Sequence, residues 1–185
     1  MSYNVPTVTT NNLSFGPGVV RVGAAGSTPA TQVGAISEDG VALEFNGTKR
    51  QIRQGNPLMP VYDFIIDQSM VISFTGIEWD LDRLAEAMGS GVTASGSGED
   101  YLYFGGEPVM TLQAVQVEHV MAVPGHTLFI EMWQGAANDP SKSIAMGVNE
   151  HSFPMSWSAQ RVTTDWAGNA LAAGRNLGRV RRVTA

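Results

Sequence analysis

The 185-residue sequence predicts a mainly β fold, a β-sandwich or partial barrel with one short flanking α-helix. Three observations predict it. Several short runs alternate apolar and polar residues with period two, as strands with one face on a core do. Twenty-one glycines and nine prolines punctuate those runs with turns. Only one stretch, Leu81 to Met88, carries apolar residues at helical spacing.

Taken in order, residues 1–17 are rich in Thr, Asn and Pro without periodicity and read as an extended arm. Gly18 to Gly23 reads as a first strand. Thr31 to Ser37 and Val41 to Phe45 read as two strands joined by an Asp-Gly turn at Glu38 to Gly40. Asn46 to Pro60, with two glycines and two prolines, reads as a long polar loop with room for a short strand at Lys49 to Arg53. Asp63 to Asp67 and Met70 to Ile77 read as the two strands of a hairpin. In the second, Met70, Ile72 and Phe74 share one face, and Val71, Ser73 and Thr75 the other.

The helix follows, with Leu81, Leu84, Ala85 and Met88 as its apolar stripe. Asp80 is placed to cap its N-terminus, and Asp82 favours the positive end of the dipole. Gly89 is placed to end it in the left-handed conformation. Gly89 to Gly98 reads as a flexible loop. Its glycines lack the Lys-Ser/Thr ending and the following helix of a phosphate loop.

Strands resume at Tyr101 to Phe104. Val109 to Met121 is expected to pair with Thr127 to Gln134 across Val123-Pro124-Gly125. A short strand is expected over Ser143 to Val148. In His151 to Arg161, Phe153, Met155, Trp157 and Ala159 face one way. Pro154, which cannot donate to a ladder, marks an edge or a bulge there. Asp165 to Gly174 is ambiguous. Residues 18–174 read as one domain, and residues 175–185 as a basic arm or last strand.

Charge is unevenly placed. All seventeen acids and seven of the eleven bases precede residue 175, so the body carries −10. Arg175, Arg179, Arg181 and Arg182 give the tail +4, and Lys49, Arg50 and Arg53 form a second basic cluster. The absence of cysteine excludes disulfides, zinc thiolates and cysteine nucleophiles. No secretory leader is expected at Met1 to Pro6, and no window has the apolar length of a membrane helix.

His119, His126 and His151 are scattered. His119 and Glu118 point to opposite faces of one strand, which spoils the simplest metal constellation with Glu131. No serine sits in a nucleophile elbow. The four tryptophans lack the basic groove of a base-stacking surface, so core and interface roles fit them better. Neither enzyme activity nor a cofactor is expected. The modest charge content leaves little to solubilise a free monomer, which favours surfaces covered by copies of the same chain.

The order of elements resembles the major tail tube protein of a long, non-contractile-tailed bacteriophage. The resemblance is carried by Val33 to Ile36, Val41 to Phe45, the loop through Pro57 to Pro60, and Ile77 through Gly89. It covers roughly residues 18–161. It implies a β-sandwich with a flanking helix, whose long strands join those of five other copies in a continuous barrel around a lumen. Rings then stack into a tube around a tape-measure protein. Tail terminator and distal tail proteins are further implied partners, and double-stranded DNA leaves through the channel.

The implied location is the virion tail, assembled in the bacterial cytoplasm without membrane contact. The resemblance implies inter-ring contacts at Lys49, Arg50 and Arg53, and helix packing on the sandwich or a neighbour through Trp79, Leu81, Leu84 and Met88. An acidic lumen is implied too, for which Asp63, Asp67, Glu118 and Glu131 on the long strands are the candidates. The basic end has no counterpart in the family, and an arm lying on the next subunit is one role for it. The alternatives are the tube component of a contractile secretion system or tail, and a β-sandwich binding or capsid accessory module.

Overall fold

The computed structural model describes residues 18–78, 80–105, 110–138 and 152–184. The predicted arm over residues 1–17, the strand expected at 143–148 and the Trp79 side chain lie outside them. The described chain is mainly β with one short helix. In chain order the elements are β1 (Val19–Ala24), β2 (Thr31–Gln32), β3 (Ile36–Gln54), β4 (Met59–Gly76), α1 (Leu81–Met88), β5 (Val92–Gly96), β6 (Glu99–Tyr103), β7 (Gln113–Val120), β8 (Thr127–Ala137), β9 (Phe153–Ala159) and β10 (Gly178–Val183).

One eight-stranded sheet runs β2-β1-β7-β8-β9-β4-β3, with β10 also on β8. Strand β7 occupies one edge of β8. Strands β10 and β9 share the other, with β10 at residues 127–132 and β9 at 135–137. The sheet curves around a single apolar cluster. Val20 and Val22 of β1, Val115 and Val117 of β7 and Met132 of β8 meet Met70, Ile72 and Phe74 of β4 and Phe153, Met155 and Trp157 of β9. This arrangement is consistent with a β-sandwich. The alternating residues of β4 and β9 that the sequence assigned to one face are the ones buried, except that Ala159 is half-buried at its margin. Gln113 of β7 satisfies the one polar atom of Trp157 in this core, accepting a hydrogen bond from Nε1 at 2.9 Å.

Helix α1 forms as expected. Asp80 Oδ1 accepts a hydrogen bond from the Asp82 N–H at 2.8 Å, and Gly89 at φ 71° closes the other end on the Ala85 and Glu86 carbonyls. Leu84 is buried, and so is Ala87, which the predicted stripe omitted. Met88 packs on the same cluster and Leu81 is half-buried. The helix therefore packs on its own sheet. Two of the segments that carry the family resemblance also meet. The Ile77 N–H donates to the Ala35 carbonyl, and the Ala35 N–H donates to Glu78.

Several expectations are corrected. The Asp-Gly segment at 38–40 is not a hairpin turn but an irregularity within β3, where the register to β4 jumps between Ile36 and Val41. Residues 63–67 and 70–77 do not pair with each other. All but Ile77 belong to the single strand β4, because Gln68 and Ser69 are paired opposite Gly47 and Asn46 instead of turning. The polar loop at 46–60 is mostly strand, closed by a turn at 55–58. The flexible loop at 89–98 holds β5, which pairs with β6 across Ser97 and Gly98. Both turn residues have positive φ, 56° and 83°, the geometry of a tight hairpin turn.

Pro154 is at an edge in a local sense. It faces Thr75 of β4, whereas β8 reaches β9 only at residues 157–159. The basic tail is β10, a strand of the same sheet.

Candidate assembly surfaces

Strands β3 and β4 leave the core together. Up to Leu43 and Met70 they lie on it, and beyond Gly47 and Gln68 they continue as a two-stranded arm of about 20 Å. Single extra residues at Ile66 and Val61 of β4 shift the register, and such bulges bend and twist a strand. Directly opposite residues share a face. One face carries the pairs Arg50 with Phe64, Ile52 with Tyr62 and Gln54 with Met59. The Tyr62 and Phe64 rings stack at 6.2 Å. The other face carries Lys49 with Ile65 and Gln51 with Asp63.

Met59, Tyr62 and Ile65 are each about 60% exposed, and Leu58 is 68% exposed. A lone two-stranded hairpin is marginally stable in water, and an apolar surface of this kind marks an interaction site. Both edges of the arm are open among the described residues: β3 ends the sheet, and β9 pairs with β4 only at residues 71–76.

The predicted loop cations therefore sit on strands. Lys49 Nζ lies 2.6 Å from Asp63 Oδ2 across the arm. That hydrogen bond and charge hold the Asp63 carboxyl below its usual range. Arg53 donates to the Gln51 side chain, and no ion pair holds Arg50 or Arg53 among the described residues.

A second patch lies on the outer side of β1, β7, β8 and β10. Arg21, Gln116, Glu131 and Arg179 form one cross-strand row, and Val19, Glu118, Phe129 and Arg181 the next on that face. Glu131 is 1% exposed. It accepts hydrogen bonds from Gln116 Nε2 at 3.0 Å, from Arg181 Nε at 2.9 Å and from Arg179 Nε. The two guanidinium groups also lie over the rings of Trp133 and Phe129. Trp166 meets Trp133 edge-on at 5.1 Å and donates to its carbonyl. Gly178 lets β10 approach, because a side chain there would collide with the Glu131 carbonyl oxygen.

Glu131 is a buried partner of the tail and not a surface acid, so it does not face a lumen. Glu118 is paired with Arg21 at 3.4 Å. Arg179 and Arg181 are bound within their own subunit, so they do not form an arm reaching outward. Arg175 and Arg182 are exposed, and the Arg175 carbonyl accepts from Trp133 Nε1. With Asp63 tied to Lys49, only Asp67 of the four proposed lumen acids has no ion pair among the described residues.

The sequence reading missed a third surface. On the side of β3, β4 and β9 away from the core lie the rows Glu44, Val71, Ser158 and Ala42, Ser73, Ser156. All of these but Ser158 line a shallow concavity of about 540 Å³ with Asp39, Thr75 and Asn138. Asp39 and Glu44 have no ion pair among the described residues. The signal was present as the polar, small set Val71, Ser73 and Thr75 opposite the buried residues of β4. Linking it to Glu44 needed the β3–β4 register.

Among the described residues no group of three or more His, Cys, Asp or Glu is placed to hold a metal ion. No helix of the structure is long and apolar enough to cross a membrane. The sequence matches no protein-family model, and no curated protein is similar enough to match it.

Proposed function

We propose that this chain is a structural subunit that assembles with copies of itself into stacked hexameric rings, the tail tube of a long non-contractile phage. The observation that carries the reading is the β3–β4 arm. It places exposed apolar residues on a two-stranded projection with both edges open, and such an arm gains stability when another chain covers it. The outer face of β3, β4 and β9 supports the reading further. Small polar side chains with the unpaired acids Asp39 and Glu44 make a surface along which DNA slides, because like charge removes the electrostatic term that drives nonspecific DNA binding. In this reading Asp39, Glu44 and Asp67 face the channel, and the tape-measure, terminator and distal tail proteins are the other partners.

Negative-stain electron microscopy of the purified chain, over a range of concentration and salt, tests the proposal. Rings or hollow tubes are the expected result. A monodisperse monomer at every condition, with and without tape-measure protein as initiator, overturns it and favours the binding-module alternative.

A further inference from the structure

The β5–β6 hairpin is the other exposed apolar projection of the subunit. Its inner face carries Leu102, which packs against the core cluster. Its outer face carries the pairs Val92 with Tyr103, Ala94 with Tyr101 and Gly96 with Glu99. Tyr101 and Tyr103 stack at 6.0 Å. Val92 is 58% exposed and Tyr103 56%. The Tyr101 hydroxyl donates to the Glu99 carboxylate. Residues 92–104 hold two acids, Glu99 and Asp100, and no base.

The arm is complementary on each count. Its aromatic face, Ile52, Tyr62 and Phe64, also carries Arg50, whereas Arg53 lies on the opposite face with Lys49 and Gln51. Residues 48–66 carry three bases and one acid. Both faces stand exposed in the isolated subunit, so the arm does not cover its own β5–β6 hairpin. We infer that the aromatic face of the arm docks on the outer face of the β5–β6 hairpin of a second copy, with Arg50 meeting Glu99. The inference rests on the self-assembly reading and names the receptor of the arm.

A second copy is the occupant because the chain carries both halves of the match, in charge and in apolar surface. The contact is heterologous, since each copy offers one arm and one receptor. Such contacts propagate into rings or filaments instead of stopping at a dimer. Aromatic stacking with arginine over the rings adds to the attraction.

Cysteine is absent from the chain, so single thiols report contacts cleanly. Full-length Gln54→Cys and Ala94→Cys, at exposed positions on the arm and on β5, are mixed, joined with a short bis-maleimide and imaged. The expected result is a heterodimer at least ten-fold above the homodimer of either variant alone. Adding Arg50→Glu to the first variant lowers the yield ten-fold, and Glu99→Arg in the second restores it. Tubes without the heterodimer overturn this contact and leave the tube reading standing. The heterodimer in small closed oligomers supports the contact and overturns the tube. Neither cross-link nor assembly overturns both, and a charge swap that fails to restore the yield overturns the pairing of the charges.

Discussion

The two ends of the β3–β4 hairpin are built from the same two strands and follow opposite rules. At the base, Ile72 is 0% exposed and Met70 1%, packed under Trp157 and its neighbours. At the tip, Ile65 and Ile66 of the same strand are 60% and 54% exposed. Base residues alternate buried and half-buried, whereas nearly every tip residue is exposed. Apolar content is similar at the two ends; what differs is whether a second layer lies over the strand. The base has found its partner within the chain. The tip carries the same kind of side chain without one, and that imbalance is the physical ground for assigning it to an interface.

The largest effect is expected from removing the arm. Replacing residues 48–67 by Asn-Gly, the preferred two-residue turn, leaves a folded monomer and abolishes higher assemblies in sedimentation velocity. Loss of the monomer fold instead would show that the arm supports the core. Next comes the contrast of isoleucines. Ile72→Ala lowers stability by about 2–5 kcal/mol in urea unfolding, as a core truncation does. Ile52→Ala, on the exposed aromatic face of the arm, changes it by less than about 0.5 kcal/mol, yet weakens assembly.

The charge pairs repeat the comparison. Glu131→Gln removes a buried carboxylate from two arginines. The loss is about 1–3 kcal/mol, less than for a fully buried pair because both guanidinium groups reach solvent. It also loosens β10, which faster amide exchange at residues 178–183 would report. Unaltered exchange there would show that backbone pairing alone holds the strand.

Asp63 gives the smallest effect. Its folded value lies below the usual 3.8, so the folded state binds fewer protons than the unfolded one around that pH. The pair with Lys49 therefore adds stability above about pH 4, and that contribution is lost as the pH falls through the lowered value. An NMR titration should place its midpoint below 3.8, and Lys49→Ala should return it to the usual range.

Helix α1 was legible before any fold was known, because its signals are local. The Asp80 cap, the Gly89 terminator and the apolar stripe act over one to four residues. The inward faces of β4 and β9 were legible for the same reason, since strand alternation is a property of consecutive residues. The arm was not. Its prolines and glycines resemble a loop, and bulges at Ile66 and Val61 break the period-two phase along it. With no layer over the tip, no polar-apolar contrast remains to reveal a strand.

The role of Glu131 was hidden by distance. Its partners lie 48 and 50 residues away on β10, and only the pairing of β10 with β8 aligns them. The acids Asp39 and Glu44 stood in plain view, but the face they share with Ser73 and Ser156 depends on register among three strands. The sequence by itself determined helix α1 with its two ends and which side of the core strands is apolar. Only the tertiary structure decided which charges are neutralised and which surfaces are left uncovered. Those outcomes depend on cross-strand neighbours, and no local pattern encodes the identity of a residue dozens of positions away.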